Sequence, residues 1–257
     1  MRTGADRRTL VTMWSRRLLL CAAVLPLPLL VTWDAPVPEG DTPPDTPAAE
    51  PPSVLTPAPR PHIVTREAWG ADESLLTEPV EYTGPTRAVF VHHTDHPDGY
   101  DCADVPDLLR AMLVDQITLR GWDDIGYNFV VDRCGTIYEG RAGSVDHNVL
   151  GAHTQGFNHD TIGVAALGSF EPGTPVPDEL LEGIARVAAW KLWPGVDPRD
   201  RSVLTSSNDA SRYAEGTTAE FHVVAGHRDA FQTLCPGDVL LERLPALRRA
   251  VARLREE

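Results

Sequence analysis

The sequence predicts a single α/β domain with a mixed central β-sheet flanked by helices, and three observations predict it. Short β-branched and apolar runs of strand length recur along the chain. Three longer segments carry apolar residues at every third or fourth position, the spacing of an amphipathic helix. The two kinds alternate through one stretch small enough to share a core.

Thr86 to His92 is a buried strand by its β-branched, apolar content. Asp104 to Gln116 places Val105, Leu108, Leu109, Met112 and Leu113 at helical spacing, with Asp104 as the expected cap and Pro106 in the first turn. Tyr127 to Val131 and Thr136 to Tyr138 are strands joined by a turn at Arg133-Cys134-Gly135, and Thr161 to Leu167 is a further strand. Pro177 to Leu192 is a second helix, ended by Pro194. Phe221 to Ala225 is expected to be one buried strand. Asp238 to Arg255 is a third helix, expected to kink or split at Pro245. Trp69, Trp122, Trp190 and Trp193 are expected in the core, and the chain has no internal repeat.

Ahead of this unit the composition changes twice. Residues 1–33 carry five Arg and then an apolar run from Leu18 to Val31, the pattern of an export signal peptide or N-terminal anchor. Ser15-Arg16-Arg17 before Leu18 resembles a twin-arginine signal. Residues 34–61 hold ten prolines among Asp, Glu, Thr and Ala, an extended linker that cannot bury a core. The folded domain is expected over residues 62–257, placed outside the cell or in its envelope. Formal net charge is -14, which repels nucleic-acid phosphates and anionic lipid headgroups. Nucleic acid is therefore excluded as a partner, and a membrane is one only if the N-terminal segment stays uncleaved. A monomer is expected.

Four cysteines are present: Cys21, Cys102, Cys134 and Cys235. Exported proteins keep disulfides, and with Cys21 in the export segment three thiols remain. A bridge between Cys102, just before the first helix, and Cys134, in the turn after a strand, would tie the helix entry to the sheet and leave Cys235 alone. Cys235 follows His227 by eight residues in Gly226-His227-Arg228-Asp229-Ala230-Phe231-Gln232-Thr233-Leu234-Cys235, and His227 ends a buried strand. His92 ends the first strand. Two imidazoles and one thiolate suit a zinc ion with a fourth position open, the arrangement of catalytic zinc. Packing is the commoner use of lone His and Cys residues, so on the residues alone both readings stand.

Five segments in order resolve the choice by resemblance: His92-His93-Thr94, Gly121-Trp122-Asp123-Asp124-Ile125-Gly126-Tyr127-Asn128-Phe129, Tyr138-Glu139-Gly140-Arg141, Gly151-Ala152-His153-Thr154-Gln155-Gly156-Phe157-Asn158, and Gly226-His227-Arg228-Asp229 with Cys235-Pro236-Gly237. Together they resemble the peptidoglycan recognition protein and type 2 N-acetylmuramoyl-L-alanine amidase family over roughly residues 62 to 240, and also resemble its secreted actinobacterial branch, which often carries the Cys102–Cys134 pair. The resemblance implies that family's fold and one zinc ion, with His92, His227 and Cys235 as ligands. It implies hydrolysis of the amide joining the lactyl group of N-acetylmuramic acid to L-alanine, and peptidoglycan, glycan with stem peptide, as partner. It makes Tyr127 and Thr233 the catalytic side chains. Thr233 stands where phage relatives carry Lys and animal amidases of the family carry Thr.

His93, Arg141, His153 and Asn158 are the candidate substrate-binding residues. His93 faces away from His92 if the strand continues. Glu139 and Arg141 form either an exposed ion pair or part of a glycan groove. His153 has a substrate or ligand-supporting role, or a plain loop hydrogen bond. Receptors of the same fold bind the wall without cutting it and often replace the ligand cysteine, so a non-catalytic peptidoglycan-binding protein is the alternative. No G-x-S-x-G elbow, P-loop or G-x-G-x-x-G run is present, and no carboxylate pair stands out for glycoside cleavage.

Overall fold

The computed structural model describes residues 55–256; the expected export segment and most of the Pro-rich stretch lie outside the described residues. In chain order the elements are α1 (Arg66–Trp69), β1 (Ala88–His93), α2 (Val105–Val114), β2 (Phe129–Val131), β3 (Ile137–Glu139), β4 (Thr161–Ala166), α3 (Asp178–Lys191), β5 (Arg201–Thr205), β6 (Thr218–His222), β7 (Val224–Gly226), α4 (His227–Ala230) and α5 (Asp238–Glu256). Five strands form the central sheet in the order β3-β2-β4-β1-β7. β1 runs parallel to both β4 and β7, β2 runs parallel to β4, and β3 is antiparallel to β2. The sheet is thus mixed, as the alternation of elements predicts.

Alternation along the strands sends residues to two buried faces. Val89, Val91, Phe129, Val131, Ile162 and Val164 pack under α3 and α5, against Ile184, Val187, Leu244 and Val251. On the opposite face Val130, Tyr138 and Ala165 meet α2 through Val105, Leu109, Met112 and Leu113, with Trp69 beside them. Ala88, Phe90 and Ala225 on that same face meet Leu204 and Phe221 of the β5–β6 hairpin. Continuous burial of β1 and β4 explains why they are apolar runs without polar alternation.

Several expectations need correction. Phe221 to Ala225 is two strands, because Phe221 belongs to the two-stranded β5–β6 sheet while Val224 and Ala225 pair with β1. The β5–β6 hairpin itself is absent from the sequence reading. Asp104 makes no side-chain cap; Asp101 accepts from the Ala103 amide instead (3.0 Å) and starts a 3-10 turn that leads into α2. α5 passes through Pro245 without splitting. Trp193 is 51% exposed while Trp69 is buried. The Pro-rich stretch lies on the domain from Leu55 onward: the Leu55 carbonyl accepts from the Gly195 amide (2.8 Å), and the Ala58 amide donates to the Ala189 carbonyl (3.1 Å). Leu55 supplies a buried apolar side chain, and Ala58 the free amide that the flanking prolines lack.

Cys102 and Cys134 are bridged, joining the entry of α2 to the β2–β3 turn across 32 residues. Closing a loop of that size in the unfolded chain should contribute roughly 3.5 to 4 kcal/mol. A Cys102→Ser/Cys134→Ser double variant should lose about that much in urea unfolding; an unchanged midpoint would show that the bridge constrains little.

Candidate metal centre

The carboxyl ends of adjacent parallel strands are where α/β sheets present ligands to a shared point. β1 carries His92 near its end, on the same face as Phe90 by the two-residue period, and β7 delivers His227 immediately after its last residue. His227 opens the short helix α4, whose turn is fixed by the Asp229 carboxylate accepting the Gly226 amide (3.0 Å). The loop after α4 must then bring Cys235, eight residues after His227, back to the start. Arg228 causes this: its amide donates to the Cys235 carbonyl (3.0 Å), its guanidinium donates to the Leu234 carbonyl, and a second guanidinium nitrogen pairs with Asp238 (2.7 Å).

The outcome is convergence of three donors from distant segments. Ligand atoms of His92, His227 and Cys235 all lie within 4.8 Å of one another. Cys235 Sγ is 3.6 Å from His92 Nδ1, and the two imidazole centroids are 4.5 Å apart. Phe231 stacks on His227 at 5.5 Å. Two neutral imidazoles and one sulfur at this spacing are a donor set that fits zinc. Among the described residues, a second cluster with metal-type side chains, Cys102, Asp132 and Cys134, is committed: its sulfurs form the disulfide, and Asp132 accepts the amides of Cys134 (2.9 Å) and Thr136 (2.8 Å).

Burial, and then mutual repulsion with His227, His153 and His93, holds His92 well below the usual imidazole range. Burial, followed by the charge of His93, brings His227 down to about 4. His153 falls to about 3 through burial, His227 and Arg141. Burial pushes the Cys235 thiol up to about 12, opposed by the His93 amide, which donates to its sulfur at 3.2 Å. The histidines are therefore neutral and ready to give lone pairs, whereas the thiol loses its proton only when a cation binds the sulfur and displaces it to solvent. A stability consequence follows for the metal-free protein. These histidines take protons near pH 6.5 once unfolded but resist protonation when folded, so the unfolded state binds more protons below pH 6.5. Stability should be full above that pH and fall as pH drops toward about 4, by about 1.4 kcal/mol per pH unit for each histidine involved. Urea midpoints of chelator-treated protein between pH 7 and 4.5 measure this; a flat profile would contradict it.

The remaining predicted site residues divide. Tyr127 stands next to the cluster: its ring is 5.2 Å from that of His92, and its hydroxyl donates to the His93 carbonyl (3.3 Å). Burial, reinforced by nearby Cys235, raises its pKa, so the phenol keeps its proton. Thr233 accepts the Cys235 amide at 3.1 Å, which leaves its hydroxyl hydrogen for another acceptor. His93 turns its Nδ1 to the Ser169 carbonyl (2.6 Å) and reaches the centre through its backbone, donating to Cys235 and accepting from Tyr127.

Arg141 and Glu139 are both buried. Arg141 pairs with Asp123 and donates to the Ile125 carbonyl (3.1 Å), while Glu139 accepts the Val145 amide (3.2 Å). The exposed Glu139–Arg141 ion pair is thereby ruled out; a buried guanidinium finds the nearer carboxylate and carbonyl. Asn158 spends its carboxamide oxygen on the amides of His153 (3.0 Å) and Thr154 (2.8 Å), so it shapes the loop. His153 contacts His92 directly, with Nδ1 3.3 Å from His92 Nε2. Thr154, also 3.3 Å from that nitrogen, escaped the sequence reading, although it stands beside His153 in a run already singled out. Beside Tyr127 opens a cleft of about 370 Å³, walled by Thr94 to Pro97, the end of α2, Arg120 and Trp122.

A family model described as N-acetylmuramoyl-L-alanine amidase matches residues 82–238. Peptidoglycan-recognition protein LB of Drosophila melanogaster is 29% identical over 187 residues, 71% of this chain and 67% of that protein. Peptidoglycan recognition protein 1 of Bos taurus is 31% identical over 191 residues, 73% of this chain and 86% of that protein. Among solved structures, peptidoglycan recognition protein-LE in complex with tracheal cytotoxin, a monomeric diaminopimelic acid-type peptidoglycan, shares the fold with a TM-score of 0.55 and 26% identity, over 72% of this chain and 92% of that one.

Proposed function

Since the chain belongs to the N-acetylmuramoyl-L-alanine amidase family, we propose that it is a zinc amidase that cleaves peptidoglycan between the lactyl group of N-acetylmuramic acid and L-alanine, acting after export. The observation that carries the reading is the convergence of His92, His227 and Cys235 next to Tyr127, which also lines an open cleft. A relative that holds a monomeric peptidoglycan supports the substrate class.

His92, His227 and Cys235 would hold the ion. Zinc bound there supplies Lewis-acid polarisation of the scissile carbonyl and a water of lowered pKa. Everything else falls to the chain's own side chains. Attack on the amide turns its carbonyl oxygen into an oxyanion, which needs preplaced donors in a site shielded from water. Tyr127 is such a donor, because burial and the neighbouring sulfur keep its phenol protonated. Giving up its bond to the His93 carbonyl (3.3 Å) for the stronger charge-assisted one favours the transition state over the resting enzyme. Thr233 offers a second hydroxyl while its oxygen holds the Cys235 amide, so one residue both places a ligand and faces the reacting group. His93 clamps Cys235 and Tyr127 through one peptide unit.

Digestion of purified sacculi by the full chain, with mass analysis of the products, tests the reading. Amide cleavage gives stem peptides with a free N-terminal alanine and leaves the glycan strands uncut. Binding to sacculi without any release of new alanine termini would reject the amidase and leave a wall-binding protein.

A further inference from the structure

His92 has two ring nitrogens, and each has its own side. Nδ1 lies 3.6 Å from Cys235 Sγ, in the cluster that His227 completes. Nε2 turns the other way, 3.3 Å from Thr154 Oγ1 and 3.3 Å from His153 Nδ1. Thr154 Oγ1 and His153 Nδ1 are themselves 3.0 Å apart. All three side chains are buried, so water does not arbitrate among them.

A neutral imidazole carries one hydrogen. If it sits on Nδ1 of His92, the lone pair points at Thr154 and His153 and the cluster loses a donor. If it sits on Nε2, Nδ1 is free for a cation and the hydrogen needs an acceptor. Thr154 can be that acceptor and, with its own single hydrogen, still donate to His153 Nδ1. His153 then carries its hydrogen on Nε2, an atom with no partner among the described residues. With Nδ1 of His92 kept for a cation, the bonds run from His92 Nε2–H to Thr154 Oγ1 and from Thr154 O–H to His153 Nδ1.

The backbone over-determines this geometry. A Cβ on Gly163 would come within 2.3 Å of His153 Cγ, and one on Gly151 within 2.4 Å of its Cδ2. The imidazole thus occupies a slot that only two glycines leave open. Asn158 fixes the amides of both His153 and Thr154 from outside. Such care for one ring orientation exceeds what a plain loop hydrogen bond requires.

We propose that Thr154 and His153 are positioning residues that keep the hydrogen of His92 on Nε2 and so present Nδ1 to a cation before one is bound. The inference rests on His92 being a ligand. Outer partners that orient a ligating histidine change metal affinity about ten- to a hundredfold when removed. Two readouts on the full chain separate the possibilities. Nitrogen-15 shifts of the His92 ring in chelator-treated protein report the tautomer, and zinc competition against a chromophoric chelator reports affinity.

The expected result is the Nε2–H tautomer in metal-free wild type. Thr154→Val, nearly the same shape, should weaken zinc binding about tenfold or more, and Thr154→Ser, which keeps the hydroxyl, should bind close to wild type. His92 found protonated on Nδ1 without metal, or Thr154→Val binding zinc as tightly as wild type, would overturn the positioning role and leave the ligand assignment intact. Wild type that takes up no zinc would remove the ligand assignment itself, and the inference with it.

Discussion

Replacing Cys235 by serine should abolish release of alanine termini from sacculi and strip the protein of zinc while the fold persists. Metal chemistry contributes several kcal/mol of transition-state stabilisation, so the loss is on the order of 10³-fold in rate or more. Sulfur is the anionic member of the donor set, and serine at pH 7 offers only a neutral hydroxyl in the same buried place. Burial already opposes the thiolate strongly enough to push the thiol up to about 12; an alkoxide there is out of reach. The pocket loses little volume, and the His93 amide keeps an oxygen to donate to, so a thermal unfolding curve of the metal-free variant should match that of metal-free wild type. A Cys235→Ser enzyme with undiminished turnover would refute the ligand role.

Tyr127→Phe should lower kcat by about 10² to 10³, the usual cost of removing one oxyanion donor, with little change in KM. That split is specific. In the ground state the hydroxyl is occupied by the His93 carbonyl, so substrate binding gains little from it, and its bond to developing charge exists only in the transition state. Zinc content should stay at the wild-type level, because no atom of Tyr127 belongs to the His92, His227 and Cys235 cluster. A raised KM at unchanged kcat would instead make Tyr127 a cleft wall that binds substrate.

Some of this was open to a reader of the sequence and some was not, for identifiable reasons. β1 and β4 are runs buried on both faces, so their apolar content shows through without alternation, and α2 and α3 announce themselves by period. His92 and His227 mark strand ends because a polar ring closes an apolar run. The meeting of His92 with Cys235 across 143 residues is a matter of strand order, which periodicity does not carry; the ordered motifs supplied it by resemblance. β5 and β6 do alternate, exposed and buried in turn, but the twelve residues between them hide the pairing from any local turn rule. β7 has three residues and merges with β6 in a single apolar run. The partner of Arg141, Asp123, lies in a different segment, and charge pairing between segments is set by the fold, so sequence proximity to Glu139 did not reveal it. Thr154 had no signal of its own: a threonine in a loop is ordinary until the neighbouring imidazoles are seen in space.

X-ray absorption at the zinc edge on the purified full chain tests the central claim most directly. About one zinc per chain is expected, bound by two imidazole nitrogens, one sulfur and one light atom from solvent. A protein free of zinc, or a zinc shell without sulfur, would contradict it.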